Sequence, residues 1–171
     1  TTMRNAGFSL TEVLSTLAII GTLSCLAQPM TSLIGKQRAL GNATLLATGL
    51  RLARTRAVLE QTGITIRAIN DDWSQGWQIF TDPNRNTQRD SGERLLLSQT
   101  ISSDTRIHGN RTVASYVHFA MSGEPQLSNG GFQAGQIDFC SITAPTQHYL
   151  LIMGKGGRVR IENNTHYKAC E

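Results

Sequence analysis

At 171 residues, the chain is long enough for one compact domain plus a single extended element. A hydrophobic share of 39% with 16% charged residues excludes both a disordered chain and a polytopic membrane protein. The 16 basic against 12 acidic side chains give a net charge of +4, which permits contact with nucleic acid or anionic lipid without requiring either.

The first predicted element is a helix. From Val13 to Gly35 no residue is charged, and Phe8 to Ala27 is apolar apart from Glu12 and a few hydroxyls. About 20 apolar residues in a helix match the thickness of a bilayer core, which predicts a transmembrane segment over 8–28. A secretory signal peptide, with Arg4 as its charged region and cleavage after Ala27, is the competing reading. Glu12 argues against it, because an ionisable group near the start of an apolar run is costly and marks function. Ser9, Thr11, Ser15 and Thr16 also interrupt what would be a plain hydrophobic region.

Helical character continues over 29–61, where Leu46, Leu50, Ala53 and Ala57 recur at steps of four, three and four and make one apolar face. Arg51, Arg54 and Arg56 fall largely off that face, and Gly63 serves as a stop. One helix from Phe8 to Glu60 is expected, softened near Gly35 and Gly41 and kinked at Pro29, where proline removes a hydrogen bond and clashes with the preceding turn.

Beyond Thr62 the pattern changes to short strands. Ile64–Ile66, Trp77–Phe80, Arg94–Leu97, Tyr116–Phe119, Gly135–Phe139, Tyr149–Met153 and Arg158–Ile161 read as strands. Asn129-Gly130-Gly131 and Gly154 to Gly157 mark turns between them. The fold class is α+β: a long helix packed on a β-rich domain over 62–171.

Asp82, Asn84, Asn86, Gln88, Asp90 and Glu93 fall at the ligand spacing of a calcium loop. Thr87 stands where that loop needs glycine, and Arg85 and Arg89 add positive charge, which favours a plain polar hairpin loop. His108, His118, His148 and His166 show no metal-ligand spacing, so no cofactor is expected. No nucleophile elbow, phosphate loop or catalytic carboxylate pair appears, and an enzyme is not expected. Asn110-Arg111-Thr112 and Asn163-Asn164-Thr165 fit the glycosylation pattern, which arises readily by chance. Of the three cysteines, Cys25 lies in the apolar run, while Cys140 and Cys170 lie in the polar C-terminal part. If that part is exported, Cys140 and Cys170 are the natural pair, and closing their loop would stabilise by roughly 3–4 kcal/mol. Otherwise they are two unrelated thiols.

Lys155-Gly156-Gly157-Arg158-Val159-Arg160-Ile161 is the strongest candidate site in the β-rich part. Strand residues two apart share a face, about 6.6 Å from each other, so Arg158 and Arg160 project together while Val159 and Ile161 face the core. Lys155 and the turn glycines add a third cation and backbone amides. That layout suits successive phosphates of a nucleic-acid backbone. Lys168 and Arg111 are further candidate phosphate contacts, and Glu162 reduces the local positive field. The same pattern also describes a solvated edge strand guarded by basic residues.

Gly7-Phe8-Ser9-Leu10-Thr11-Glu12-Val13 resembles the prepilin signal of type IV pilins and type II secretion pseudopilins. The resemblance implies a leader over 1–7, cleavage between Gly7 and Phe8 by a prepilin peptidase, and methylation of the new Phe8 amine. Glu12 would then pair with the Phe8 amine of a neighbouring subunit and satisfy two charges inside the membrane. Trp73-Ser74-Gln75-Gly76-Trp77, with Thr81-Asp82-Pro83-Asn84 running to Ser91-Gly92-Glu93, resembles the GspH/FimT family of minor pilins and pseudopilins. That resemblance implies a long helix with two small, mostly antiparallel sheets. Gly157-Arg158-Val159-Arg160 also matches the GRxR motif of FimT-type minor pilins, which implies binding of extracellular double-stranded DNA, without sequence preference, for uptake in natural transformation. The expected subunit sits in the inner membrane before assembly and in an extracellular pilus with other minor and major pilins afterwards. The alternative is a subunit that primes a pilus or a type II secretion pseudopilus and binds other pilins only.

Overall fold

Ala39, Ala43, Leu46, Ala47, Leu50, Ala53 and Ala57 repeat at three- and four-residue steps, and all are fully buried. They form the inner face of α1, a 51-residue helix over Leu10–Glu60 in the computed structural model, which describes residues 9–101, 104–143 and 148–164, with backbone alone over 25–32 and at 164. Phe8 therefore lies outside the described residues, as do Gly7, Lys168 and Cys170. The helix runs through Pro29, whose side chain is outside them too.

The small side chains have a packing purpose. A Cβ at Gly35 would run into the hydroxyls of Thr143 and Ser141, and one at Gly49 would lie 3.2 Å from the Trp77 indole nitrogen. Of the two glycines where softening was expected, Gly35 is thus a close-packing position, whereas a Cβ at Gly41 would meet nothing within 4 Å. It ends at Glu60 as expected, but Gln61 takes the left-handed conformation (φ 50°, ψ 40°) that closes it. Gly63, read in the sequence as the stop, is a packing position instead: a Cβ there would strike the Asp82 carbonyl and the His118 ring.

The N-terminal half of α1 is different. Leu10, Val13, Leu14, Leu17, Ile19, Ile20 and Leu23 are all exposed. The hydroxyls among them bond back to helix carbonyls: Ser15 to Thr11, Thr16 to Val13, Thr22 to Ile19 and Ser24 to Ile20, at 2.6–2.9 Å. Among the described residues, no helix is long and apolar enough to cross a membrane. The segment expected over 8–28 reaches past the residues whose side chains are described, and it remains a sequence expectation.

Among the described residues nine strands follow: β1 (Ile64–Ala68), β2 (Gly76–Thr81), β3 (Leu95–Thr100), β4 (Thr105–Gly109), β5 (Tyr116–Phe119), β6 (Pro125–Gln126), β7 (Gly135–Ser141), β8 (His148–Met153) and β9 (Val159–Asn164). They form two antiparallel sheets, ordered β3-β2-β1-β5-β6 and β4-β7-β8-β9, and neither closes into a barrel. The C-terminal half of α1 packs on both, against β1 and β5 of the first sheet and β4, β7, β8 and β9 of the second. Trp73, Trp77, Phe119 and Phe139 belong to the shared core, while Phe80 is buried outside it, beside Arg67, Gln78 and Gln88. Trp73 donates its indole N–H to the Val113 carbonyl at 3.0 Å, so its polar atom is satisfied inside the core.

Two strands were not legible in the sequence. In β4 the inward positions are Thr105, Ile107 and Gly109, so only one carries a large apolar group. β6 has two residues and includes Pro125, which fits its edge position.

Candidate functional site

The β8–β9 turn lies where α1 and the two sheets meet. Gly154 donates its N–H to the Arg158 carbonyl at 3.0 Å, and Gly157 donates to the Gly154 carbonyl at 2.9 Å. Of the amides that the turn glycines were expected to bring near the arginines, those of Gly154 and Gly157 are therefore committed within the turn. Gly157 itself, expected among the DNA-binding residues, is buried. Its φ of +74° is left-handed, and a Cβ would lie 3.3 Å from the Gly123 carbonyl oxygen, from Phe119 and from Pro125. Gly157 shapes the turn and seats it on the β5–β6 end of the first sheet.

Arg158 precedes β9, Arg160 lies on it, and both are exposed, while Val159 is buried and Ile161 packs against the core. The two arginines are not electrostatically alike. Arg160 donates from Nε to Glu162 Oε1 at 2.9 Å, with side chains 61% and 49% exposed. Among the described residues, no carboxylate forms an ion pair with Arg158. Lys155 extends from the turn and sets its ammonium 4.4 Å from the centre of the Phe132 ring, itself 62% exposed.

Three adjoining clefts converge on this turn. One of about 570 Å³ runs between α1 and the hairpin and is lined by Arg51, Arg54, Thr55, Val58, Leu59, Gly157, Arg158 and Val159. A second, about 260 Å³, is bounded by Ile152, Gly154, Arg158 and Arg160. A third, about 350 Å³, includes Lys155, Phe132 and Glu124. Arg158 borders the first two. Arg51 and Arg54 were not singled out from the sequence. Their signal was only a position on the flank of the apolar helix face, and nothing in the chain order says which strand lies beside that flank.

Arg111 follows β4, at the same end of the second sheet as the turn but three strands away, roughly 14 Å by strand spacing. It is exposed and does not line these clefts. Cys140 is buried on β7 opposite His148, and its expected partner Cys170 lies outside the described residues.

The loop after β2 is organised from within. Asp82 is fully buried and accepts from the Thr65 hydroxyl at 2.6 Å and from the amides of Asn86 and Thr87 at 3.1 Å. His118 Nδ1 lies 3.3 Å from the same carboxylate and 2.8 Å from the Thr65 oxygen. Burial alone would raise the Asp82 carboxyl, but the hydrogen bonds from His118 and Thr65 prevail and hold it below the usual carboxylate range. Asp90 accepts from the side-chain amides of Asn84 and Asn86 at 2.9 and 2.8 Å. The loop's oxygens thus serve its own donors, and no group of three or more His, Cys, Asp and Glu is arranged for a metal among the described residues. Thr65, Asp82 and His118 resemble a catalytic trio only in composition. All three are inaccessible, and they brace β1, β5 and the loop together.

Over residues 42–163 the chain matches a family described as type II transport protein GspH. The crystal structure of the type IV minor pilin FimU of Pseudomonas aeruginosa superposes with a TM-score of 0.56 at 20% identity, covering 72% of this chain and 91% of FimU. A second crystal form gives 0.58 at 19% identity, over 74% and 89%. The minor pseudopilin EpsH from the type 2 secretion system of Vibrio cholerae superposes with a TM-score of 0.53 at 12% identity, over 73% of this chain and 96% of EpsH. At such identities the likeness is one of fold. No curated protein sequence matches the chain significantly.

Proposed function

The chain belongs to the GspH family of type II transport proteins, and from that premise we propose that it is a minor type IV pilin that captures double-stranded DNA at its β8–β9 hairpin for uptake. The observation that carries this reading is the exposure of Arg158, without an acidic partner among the described residues, at the meeting of two clefts that also hold Arg51, Arg54 and Arg160. Exposed cations on such a hairpin supply backbone electrostatics and little sequence preference. With Arg158, Arg160 and Lys155 as three phosphate contacts, log affinity falls against log salt with a slope of about −2.7.

Assembly belongs to the same proposal. The apolar side chains of the N-terminal half of α1 are uncovered among the described residues, which favours a lipid or neighbouring-helix environment for them. The back-bonded hydroxyls remove the cost of carrying polar groups there. Glu12 sits in the first turn, where its charge complements the helix dipole, and in a filament it would meet the Phe8 amine of a neighbour after cleavage behind Gly7 by a prepilin peptidase. The subunit would stand in the inner membrane before assembly and in the extracellular pilus, among other pilins, afterwards. Export would also make a Cys140–Cys170 bridge the natural pairing.

The test is binding of a labelled duplex to the full chain in detergent, at low salt, with Arg158→Gln plus Arg160→Gln as the comparison. Salt-sensitive binding that the double substitution abolishes supports DNA capture. No binding, or binding indifferent to both changes, leaves the alternative of a subunit that only primes filament assembly.

A further inference from the structure

The motif nominates Arg158 and Arg160 as a matched pair, yet their surroundings divide them. Any phosphate reaching Arg160 competes with Glu162, which already accepts its Nε–H at 2.9 Å. Arg158 faces no such competition among the described residues, and the larger of its two clefts leads to α1. There Arg51 and Arg54 are one turn apart, which places their stems about 5–6 Å from each other. Arg51 is partly engaged: its Nη2 donates to the Val159 carbonyl at 3.4 Å and ties the helix to the hairpin. Arg54 forms no ion pair among the described residues, and its stem packs over Gly123 in the turn before β6. Between Arg54 and Arg158 the walls are largely apolar, with Val58, Leu59 and Val159. Separated cations over an aliphatic floor suit a sugar–phosphate backbone, with phosphates at the guanidinium groups and deoxyribose faces between them.

We propose that the DNA backbone leaves the hairpin through this helix–hairpin cleft, with Arg54 as a phosphate contact paired with Arg158, while Arg160 is held back by Glu162. The inference rests on the DNA reading above and names the path that the strand takes. It moves the main contacts from one strand to a junction of helix and sheet.

The experiment compares Arg54→Gln, Arg160→Gln and Arg106→Gln in the full chain in detergent, by fluorescence anisotropy of a labelled duplex across a salt series. Arg106 is exposed at the opposite end of the second sheet, so its substitution removes the same charge far from the cleft. Three contacts from Arg54, Arg158 and Lys155 predict an affinity loss of about 40-fold over a fourfold rise in salt, and Arg54→Gln lowers that loss to about 12-fold, a slope change of about 0.9. Arg160→Gln and Arg106→Gln leave the slope near that of the parent chain. A slope for Arg54→Gln equal to that of Arg106→Gln overturns the cleft path. If the duplex fails to bind the parent chain, or binds it indifferently to Arg158→Gln plus Arg160→Gln, the DNA reading itself falls. Circular dichroism melts of each variant separate lost contact from lost fold, and Arg54, exposed on the helix surface, is expected to melt as the parent does.

Discussion

Replacing Glu162 by glutamine should strengthen DNA binding, a direction opposite to most substitutions at a binding surface. Arg160 and Glu162 are 61% and 49% exposed and meet at 2.9 Å. Exposed pairs of this kind are worth about 0.2–1 kcal/mol, so freeing Arg160 is expected to raise affinity by about 1.4- to 5-fold. Recruiting it as a phosphate contact would also steepen the salt dependence by up to about 0.9 in log–log slope. The measurement is anisotropy of a labelled duplex at several salt concentrations, with Asp104→Asn as the control. Asp104 pairs with Arg38 beside β4, at the end of the second sheet away from the turn, so its loss changes net charge equally without touching the hairpin. A double-substitution cycle makes the reasoning vulnerable: the gain must vanish when Arg160 is already glutamine. An equal gain in that background, or from Asp104→Asn, would refute the account of Arg160 as a competed-for cation.

Two further outcomes follow from the hairpin and the loop. Gly157→Ala should cost about 1–2 kcal/mol for the left-handed backbone alone, lowering Tm by about 2–8 °C for a chain of this size; an unchanged melt by calorimetry would contradict the conformation described. Asp82→Asn removes the charge that His118, Thr65 and two amides hold, and breaking such a buried cluster typically costs about 3–5 kcal/mol. Because the folded carboxyl is depressed, its stabilisation is fully present above the unfolded value near pH 4 and is lost as pH falls further. Denaturant titrations should therefore show parent stability dropping below about pH 4, with a shallower drop in Asp82→Asn; parallel pH profiles would sink that assignment.

Periodicity carried most of the fold. Leu46, Leu50, Ala53 and Ala57 all face the core, and seven of the nine strands among the described residues coincide with alternating or apolar runs. β4 and β6 escaped because burial there falls on Thr105, Gly109 and Pro125, residues whose types do not announce an interior. Helix closure by Gln61 escaped for a related reason, since glycine is the usual signal and Gly63 was two residues away. The motif arginines were legible as neighbours on a strand. Their inequality was not, because it depends on Glu162 turning back along β9, and the helix arginines beside them depend on tertiary packing of α1 against the hairpin. Local pattern finds what a residue is beside in sequence; only the closed fold decides what it is beside in space.

The seating of Gly157 against Phe119 and Pro125 has a biological corollary. The hairpin of one sheet takes its shape by leaning on the other, so a chain whose halves have not yet docked would display its arginines in no fixed arrangement. On the DNA reading proposed above, recognition would then be reserved for chains whose two sheets have already come together.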